Sequence, residues 1–490
     1  MTPTPQTLAR DDITALNADD LSRAIRTRAV SCTEVMQAYL ARIHRLNPAC
    51  NAIVNLAGDD TLLAQAAERD AEIARGQWRG WLHGMPQAIK DTGHALGFPT
   101  TYGCALLRDS MPTRDSVMTA RMKAAGCVVI GKTNMPQLGL GSHTFNELFG
   151  VTRNAWDPAV SAGGSSGGAA VALAHRLLPV ADGSDFMGSL RNPAAWNHVF
   201  GLRPSQGRIP YFPSADVWIS QLGIEGPMAR TAADLTRLLE LQSGHDRNAP
   251  LSIRGGFGPV TLAEGTQALK GLRVGWLANL GGHLAMEDGI LACNEQALKV
   301  MAAHGAQVQP LAPAFDPQRV WEAWLVWRRA LVAPRVAALL SKPDARKLLK
   351  PEALWEHDQA LSLSFLEFNR ASETRSQFHA QILSMFDQCD VLALPTTQCW
   401  PFPTDWRWPR ELDGRHMDTY HRWMESTIYA TFAGLPALSM PAGFHSNGKW
   451  PAGLQLIGPP QDEARLLNIA AAYETAAADL MARRPPEPAG

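Results

Sequence analysis

The sequence lacks any large excess of charge of one sign. Its 45 lysine and arginine residues nearly balance its 46 aspartate and glutamate residues, and the formal net charge at pH 7 is −1. The basic residues also form no clustered stripe along the chain. Because proteins that bind nucleic acid display a concentrated basic surface, we expect no nucleic-acid partner.

Long apolar runs are also missing. No segment approaches the roughly 18 apolar residues that a membrane-spanning helix needs. The opening segment, MTPTPQTLARDD, is polar and has no apolar stretch of the kind found in secretory signals. We therefore expect no membrane partner and a cytoplasmic location.

Cysteine is sparse and shows no pattern. The chain has seven cysteines, an odd number without a CxxC pair: Cys32, Cys50, Cys104, Cys127, Cys293, Cys389 and Cys399. Disulfide frameworks and zinc sites use even or closely spaced sets of cysteines. We expect reduced, mostly buried thiols and no metal site.

What the chain does contain is enough apolar material for a large core, with 46% hydrophobic residues over 490 positions. Two short helices are predicted within 18–47; the second opens with a capping box, Ser31 to Glu34, and ends at Asn47–Pro48. Further helices are predicted at 61–75, 115–126, 288–304 and 462–476. Strands are predicted at 52–56, 87–90, 127–131, 271–277, 390–395, 435–441 and 452–458.

This alternation of strands and helices predicts an α/β fold. We expect one large domain with a central mixed, largely parallel, twisted sheet covered by helices on both faces. Two stretches interrupt the alternation, at 245–266 and 399–417. Long irregular segments in such folds often form lids or pocket walls.

Two short motifs compete for a functional interpretation. GCVVIGKT, residues 126–133, matches the P-loop pattern, but an apolar strand lies between its glycines, where a P-loop needs a bare loop. The alternative is a strand followed by an ordinary exposed Lys132. GGSSG, residues 163–167, matches a nucleophile elbow with Ser165 as nucleophile of an α/β-hydrolase esterase. The preceding NAWDPAVSAG offers no strand to support that elbow.

A third interpretation takes two serine clusters together. GGSSGGAAVALA and DGSDFMGSLRNP each place a tight loop rich in small residues where backbone N–H groups converge. A nucleophilic serine there would find its oxyanion donors in the main chain. Lys90, at the end of the apolar GMPQAIK, is a candidate base if burial keeps it neutral. The alternative is a surface lysine.

The chain resembles the amidase signature family along nearly its whole length. The similarity is carried by NPACNAIVNL, GMPQAIKD, GKTNMP, the Gly/Ser block, VFGLRPSQGRIP, LALPTT, FAGLPALSMPAG and GLQLIGPPQDE. Such a long collinear match is more specific than any single motif. It implies the amidase signature fold and an amidohydrolase that needs neither a metal nor an organic cofactor.

The resemblance also implies roles for individual residues. Ser189 corresponds to the nucleophile, Ser165 to a serine in an unusual cis conformation that relays protons, and Lys90 to the base. The implied oxyanion donors are the main-chain N–H groups of Phe186, Met187, Gly188 and Ser189.

Further residues are implied to support this set. Asp185 and Arg191 would brace the oxyanion loop by a charge-assisted hydrogen bond, with a solvated charge pair as the alternative. Ser166 would bond Lys90 or satisfy the loop backbone. Met187 stands where the family usually has glycine, so its side chain must pack below the loop or narrow the acyl pocket.

In the domain organisation implied by the resemblance, residues 1–490 form a single amidase domain. Its parts are an N-terminal helical segment (1–75), the catalytic core (76–310), a helical and irregular pocket region (311–430) and returning strands and a helix (431–490). Candidate pocket residues are Phe145, Met187, Trp321, Trp324, Trp327 and Trp400. Because the tryptophans at 321, 324 and 327 share a helix, a core stripe is the alternative.

The expected substrate is a small-molecule amide or carbamate with a bulky, apolar substituent. The protein itself is expected to be a monomer or a homodimer. The motifs look closer to bacterial aryl acylamidases, urethanases and nylon-oligomer hydrolases than to the glutaminase subunit of tRNA amidotransferases. That glutaminase remains an alternative, since the catalytic residues alone do not distinguish the two, and so does a catalytically silent scaffold.

Overall fold

Sixteen α-helices and fifteen β-strands alternate through residues 10–488, the part of the chain that the computed structural model describes. The polar opening segment, residues 1–9, for which no secretory signal is predicted, lies outside the described residues. The helices are α1 (Arg10–Ala15), α2 (Ala18–Arg26), α3 (Cys32–Cys50), α4 (Asp59–Ala74), α5 (Val117–Ala124), α6 (Gly167–Ala174), α7 (Arg191–Asn197), α8 (Ala232–Gln242), α9 (Ile290–Ala303), α10 (Pro317–Leu340), α11 (Ala345–Leu348), α12 (Pro351–Ala360), α13 (Phe365–Met385), α14 (Ile428–Ala433), α15 (Glu463–Ala476) and α16 (Ala478–Met481).

The strands form one large sheet and three small ones. They are β1 (Ile53–Val54), β2 (Pro86–Lys90), β3 (Val128–Thr133), β4 (Phe145–Asn146), β5 (Gly150–Val151), β6 (Ala181–Asp185), β7 (Phe200–Arg203), β8 (Ile224–Ala229), β9 (Arg273–Trp276), β10 (Gln307–Pro310), β11 (Val391–Pro395), β12 (Glu411–Leu412), β13 (Arg415–His416), β14 (Ala437–Phe444) and β15 (Pro451–Ile457). Short 3-10 helices lie at Ala105–Leu107, Gln137–Gly139, Gln267–Leu269 and Arg422–Thr427.

The central sheet has eight strands in the order β10-β9-β11-β15-β14-β7-β8-β6. It is mixed, as predicted: β9 pairs in parallel with β10 and β11, and the other five pairings are antiparallel. The parallel share is therefore smaller than predicted. The alternation of elements along the chain does not specify which strands become neighbours, and β14 and β15 form a hairpin.

Alternate residues of the central strands point into two apolar clusters on opposite faces of the sheet. On β11, Val391 and Ala393 face the cluster built with α3, α6, α8 and α15, whereas Leu392 and Leu394 face the one built with α10, α13 and α14. The predicted covering of both faces by helices is confirmed. All seven cysteines are free thiols, and six of them are buried.

A three-stranded sheet in the order β1-β3-β2 adjoins the central one. The backbone N–H of Lys90 on β2 donates to Asp182 Oδ2 on β6 at 3.1 Å, so the two sheets meet along this line. The predicted strands near 87–90 and 127–131 are both present in the small sheet. This junction carries the end of β2 to the Gly/Ser loops.

Two local predictions need correction. Helix α3 opens with the predicted capping box but runs through Pro48 to Cys50. The missing proline N–H falls in the last turn, and the Asn47 side chain accepts from the N–H groups of Ala52 and Ile53 just beyond it. The polar ADGSD segment, predicted as part of a loop, is the buried strand β6, because pairing with β8 satisfies its backbone.

The two stretches predicted to be irregular, 245–266 and 399–417, contain little regular secondary structure. Residues 245–266 contain neither helix nor strand, and 399–417 contain only the small hairpin of β12 and β13. None of the described helices combines the length and apolar character that crossing a bilayer requires.

Candidate active site

Lys90 is the last residue of β2, and its side chain is buried. Its Nζ lies 2.7 Å from Ser165 Oγ, 2.9 Å from Ser166 Oγ and 2.9 Å from Ser184 Oγ. The Ser184 carbonyl oxygen accepts from the same amine at 3.2 Å. The alternative of a surface lysine is wrong, because the neighbouring strand β6 and the Gly/Ser loop enclose the amine and replace water with hydroxyl groups.

Burial lowers the pKa of the Lys90 amine to about 7, and the carboxyl groups of Asp185 and Asp182 oppose that shift only in part. Desolvation dominates because hydroxyl groups stabilise an ammonium ion less well than bulk water does. A substantial share of the amine is therefore uncharged near neutral pH. An uncharged amine can accept a proton, which a general base must do.

Two buried carboxyl groups stand near this amine on the same side of the sheet. Burial raises the pKa of Asp182 to about 6 and that of Glu225 to about 8. Glu225 on β8 lies opposite Ser184 of β6 in the strand pairing. When ionised, Glu225 raises the pKa of Lys90, and the burial of Glu225 works against that ionisation.

The loop that carries Ser165 and Ser166 approaches Lys90 in a tightly held conformation. The Gly164–Ser165 peptide bond is cis. Ser142 Oγ accepts from the Gly164 N–H at 3.1 Å and donates to the Gly164 carbonyl at 2.6 Å. Helix α6 follows at once, and a Cβ on Gly168 would lie 2.5 Å from the Ala52 carbonyl oxygen. The small residues thus allow the helix to pack against the backbone beneath it.

Ser189 lies in the loop between β6 and α7 and lines the same cavity as Ser165. The Ser166 N–H donates to the Ser189 carbonyl oxygen at 3.1 Å, which ties the two serine loops together. Within residues 10–488, no hydrogen bond joins the Ser165 and Ser189 hydroxyl groups. The structure therefore brings Lys90 and Ser165 into contact and places Ser189 beside them.

Three of the four predicted oxyanion donors are free of protein partners. The N–H groups of Phe186, Met187 and Ser189 donate to no other described residue. The prediction is wrong for Gly188, whose N–H donates to Asp185 Oδ1 at 2.9 Å. Gly188 has a φ of +80°, which turns its peptide toward the carboxylate.

The Asp185 carboxylate accepts several hydrogen bonds from the loop between β6 and α7 and from Arg191. Its Oδ2 accepts from the Leu190 N–H at 3.2 Å and from Arg191 Nε at 3.0 Å, and its Oδ1 accepts from Arg191 Nη2 at 2.9 Å. Both side chains are fully buried, so the alternative of a solvated pair is wrong. Although burial works in the opposite direction, the paired arginine holds the pKa of Asp185 well below its usual range.

A cavity of about 120 Å³ opens beside Ser189. Its walls are largely apolar, with two arginines and several hydroxyl groups. They comprise Thr92, Leu138, Gly139, Leu140, Gly141, Ser165, Ser184, Asp185, Phe186, Met187, Ser189, Tyr211, Ser220, Gly223, Ile224, Arg328, Leu331, Val332, Arg335, Val336 and Met424. Of the six predicted pocket residues, only Met187 lines this cavity.

The predicted tryptophans belong to the core instead. Trp321, Trp324 and Trp327 are buried in the apolar cluster of α10, α13 and α14, as the core-stripe alternative proposed. Trp324 packs edge-on against the Phe186 ring at 5.7 Å, behind the cavity wall. A spacing of three residues specifies one helix face, and here the neighbouring helices cover that face.

Trp400 and Phe145 are placed elsewhere. The Trp400 indole N–H donates to the Asp288 carbonyl at 3.0 Å in the same core cluster. Phe145 lies beside Lys350 and Arg407 and lines a separate cavity of about 10 Å³. Neither ring reaches the wall beside Ser189.

The Met187 side chain has two environments, the apolar core and the cavity wall. It is buried in the core cluster and also lines the cavity. Its Sδ lies 3.8 Å from Arg328 Nη1. The methionine side chain thus forms part of the cavity wall.

Sequence reasoning missed two polar residues at this site. Ser184 stands five positions before Ser189 in the same motif, and its position on β6 brings it to Lys90. Arg328 on α10 is buried and reaches the cavity, with Nε bonded to Glu356 Oε1 at 2.6 Å and Nη2 to the Tyr420 hydroxyl at 2.6 Å. The only sequence signal for Arg328 was a charge within an aromatic helix.

The competing motifs lack the geometry that they require. In GCVVIGKT, Gly131 and Lys132 lie inside strand β3, so no loop is available to wrap a phosphate. Lys132 is buried rather than exposed, because its amine donates to the Gly93 carbonyl and faces Asp91 at 4.0 Å. The GGSSG segment follows irregular backbone rather than the strand that a nucleophile elbow needs. In the described part of the chain, no group of three or more His, Cys, Asp or Glu side chains is placed to hold a metal ion.

The sequence and the fold of this chain are similar to those of known proteins. The family sequence model described as Amidase matches residues 34–467. The chain is 34% identical over 487 residues to a glutamyl-tRNA(Gln) amidotransferase subunit of Thermosynechococcus vestitus, covering 93% of this chain and 96% of that protein. It is 33% identical to an acylamidase of Rhodococcus erythropolis, over 94% of this chain and 95% of that one. The crystal structure of a bacterial aryl acylamidase superposes with a TM-score of 0.87 at 28% identity, covering 96% and 99% of the two chains.

Proposed function

Because this chain belongs to the amidase signature family and is a hydrolase of carbon–nitrogen bonds other than peptide bonds, we propose that it cleaves a small amide or carbamate through an acyl-enzyme on Ser189. The observation that carries the proposal is the 2.7 Å contact between the buried Lys90 amine and Ser165 Oγ, next to the Ser189 loop. A lysine without this burial would be protonated and unable to act as base.

In the first step, Ser189 Oγ attacks the substrate carbonyl carbon. The Ser189 proton passes to Ser165 Oγ while the Ser165 proton passes to neutral Lys90 Nζ. The two serine hydroxyl groups must approach each other for this transfer. Catalytic hydrogen bonds of this kind often tighten when substrate binds, and both hydroxyl groups line the cavity that the carbonyl would enter.

The tetrahedral intermediate places a negative charge on the former carbonyl oxygen. The N–H groups of Phe186, Met187 and Ser189, which have no acceptor among the described residues, would donate to it, and the Gly188 N–H would hold the loop on Asp185. Collapse of the intermediate breaks the C–N bond, and the proton on Lys90 returns through Ser165 to the leaving nitrogen. Water then hydrolyses the Ser189 ester by the same relay.

The cavity walls favour a substrate with an apolar body. Phe186, Leu331 and Val332 supply apolar surface, while Arg328 adds one buried donor group near Met187. An aryl or branched alkyl amide fits this combination better than a highly charged one. An aryl carbamate presents the same carbonyl to the same residues, so it belongs to the proposed substrate class.

A hydrolysis screen of anilides, aliphatic amides, aryl carbamates and esters tests the proposal. We expect turnover of at least one C–N substrate, and Ser189→Ala should lower kcat/KM by at least about 10³-fold because it removes the nucleophile. Ser220→Ala is the matched control, since Ser220 lines the cavity but is not one of the three serines whose hydroxyl groups bond Lys90. A fluorophosphonate probe should label Ser189; labelling of Ser165 instead would support the esterase alternative.

A second candidate is a glutaminase-type amidotransferase subunit, which the 34% identity to the Thermosynechococcus vestitus protein favours. That function predicts glutamine hydrolysis only in the presence of a partner chain. Activity of the isolated chain on anilides with none on glutamine would exclude this candidate. Glutaminase activity that appears only on adding a partner would replace the first proposal.

A further inference from the structure

A second cavity, of about 290 Å³, lies at the far ends of the two helices that begin at the candidate active site. Helix α6 starts after Ser166 and ends next to Arg176, and α7 starts at Arg191 and ends at its C-cap residue His198. Both Arg176 and His198 line this cavity. At 1.5 Å per residue, a helix of this length separates the two sites by roughly 12 Å.

Four arginines line this second cavity, which we call the arginine cavity: Arg176, Arg230, Arg483 and Arg484. Among the side chains that the structure describes, those of residues 12–488, no carboxylate forms an ion pair with any of the four. Arg230 donates to the carbonyl oxygens of Leu178 and Leu16, each at 2.9 Å. Arg484 donates to the Met481 and Arg483 carbonyls at 2.8 and 2.9 Å. Carbonyl groups satisfy hydrogen bonds but do not neutralise a positive charge. The Asp234 carboxylate, outside the lining, compensates part of the Arg230 charge, whereas no described carboxylate is paired with Arg176 or Arg484.

The two carboxyl groups in the cavity lining, those of Asp20 and Glu474, do not form ion pairs with these arginines. Of the two carboxyl groups in the lining, Asp20 pairs with Arg23 at 3.1 Å outside the arginine set. Glu474 accepts from the Ala232 N–H at 2.9 Å, and burial raises its pKa to about 7. Burial lowers the pKa of Arg176 to about 10, and repulsion from neighbouring guanidinium groups, Arg484 first, adds to the shift.

Two buried nitrogen atoms in the lining are also left without partners within the described chain: Arg176 Nε and His198 Nδ1. His198 Nε2 lies 3.0 Å from the Leu480 carbonyl, which accepts its proton. His198 Nδ1 is then an acceptor, whereas the arginines are donors. A hydrogen phosphate group matches both, because its oxygens accept from guanidinium groups and its O–H donates to an imidazole nitrogen.

We propose that the arginine cavity is a binding site for a phosphate-bearing small molecule or for inorganic phosphate. The ligand would neutralise Arg176, Arg230 and Arg484 together and occupy the open lone pair of His198. The arginines would hold this anion against the partial negative charge at the C-terminal ends of α6 and α7, which also lie at the cavity. This inference stands apart from the substrate of the hydrolase.

Inorganic phosphate is the probe for the test. We expect calorimetry to show saturable binding and the Tm to rise with phosphate, relative to sodium chloride at equal ionic strength, because a ligand that binds only the folded state stabilises it. Arg176→Gln and Arg484→Gln should each weaken phosphate binding at least about tenfold, since each removes a charged donor. Arg484 is exposed, so that variant is expected to fold normally.

Arg254→Gln is the matched control, because Arg254 is an exposed arginine of the irregular segment 245–266 and does not line the cavity. It should bind phosphate as tightly as the original chain. The proposal is overturned if phosphate and chloride give the same Tm. It is also overturned if Arg484→Gln retains full phosphate affinity. Both measurements are independent of hydrolytic activity.

Discussion

At the scale of single residues, the chemistry proposed for this protein depends on one amine. Lys90 is fully buried, yet three serine hydroxyl groups surround it and no carboxylate contacts its Nζ. The hydroxyl groups position the amine without forcing it to keep a proton. The same side chain in water would stay charged throughout the physiological pH range.

The pH dependence of catalysis follows from this environment. Burial lowers the pKa of Lys90 to about 7, and the neutral form is the active base. We therefore expect kcat/KM to rise from pH 6 to pH 8 and to level off by pH 9, as the free enzyme loses the Lys90 proton. A pH–rate profile with a C–N substrate measures this.

The control for that profile is Lys90→Ala, which should lower turnover by several orders of magnitude while leaving the circular dichroism spectrum unchanged. The residual rate should also lose the rise near pH 7. A flat profile from pH 6 to 9 in the original chain would remove Lys90 from the proposed mechanism.

At the scale of secondary-structure elements, a buried ion pair connects β6, the Ser189 loop and α7. Asp185 ends the strand, Arg191 begins the helix, and the carboxylate also accepts from two loop N–H groups. Arg191 reaches further, to the Thr427 carbonyl at 2.9 Å and to the Gln455 side chain. Through Arg191 the loop is therefore tied to β15 and to the segment that precedes α14.

Breaking this pair should destabilise the whole chain. Arg191→Met would remove the bidentate partner of the buried Asp185 carboxylate and leave it only Arg203, whose Nη1 lies 3.5 Å from Asp185 Oδ1. Breaking a buried pair completely typically costs about 3 to 5 kcal/mol of unfolding free energy, and we expect a loss between about 1 kcal/mol and that range. Urea unfolding followed by circular dichroism measures the loss. Arg319→Met, at an exposed position on α10, is the matched control and should change stability by less than about 0.5 kcal/mol. Equal stability of the two variants would show that the buried pair contributes nothing.

At the scale of the whole molecule, the core encloses the thiols. Six of the seven cysteines are buried, and only Cys293 is partly exposed. Burial raises the pKa of Cys293 to about 11 and that of Cys127 to about 12, so the reactive thiolate is scarce at neutral pH.

Thiol titration tests this arrangement. In the native protein, a disulfide reagent at pH 8 should modify at most Cys293, and only slowly. After denaturation it should modify all seven thiols, because no disulfide withholds any of them. Addition of a reducing agent should leave the Tm unchanged. Rapid modification of several cysteines in the native state would contradict the buried core described here.

Much of the architecture could be predicted because its signals are local. The strand at the end of GMPQAIK, the capping box of α3 and the helix after GGSSGG each depend on a few adjacent residues. Strand β6 was missed for the same reason: ADGSD has low intrinsic strand preference, and only its pairing with β8 makes it a strand.

By itself, the sequence determined the α/β class, the reduced thiols and, through motifs shared with a family, which serines and which lysine to consider. Only the tertiary structure decided that antiparallel pairings dominate the sheet, that Lys132 is buried, that the Gly188 N–H serves Asp185, and that the α10 tryptophans belong to the core. These outcomes depend on which distant segments meet. Contacts between distant segments determine which side chains are buried and which hydrogen bonds form, whereas secondary-structure propensity and periodicity depend only on the residues within each segment.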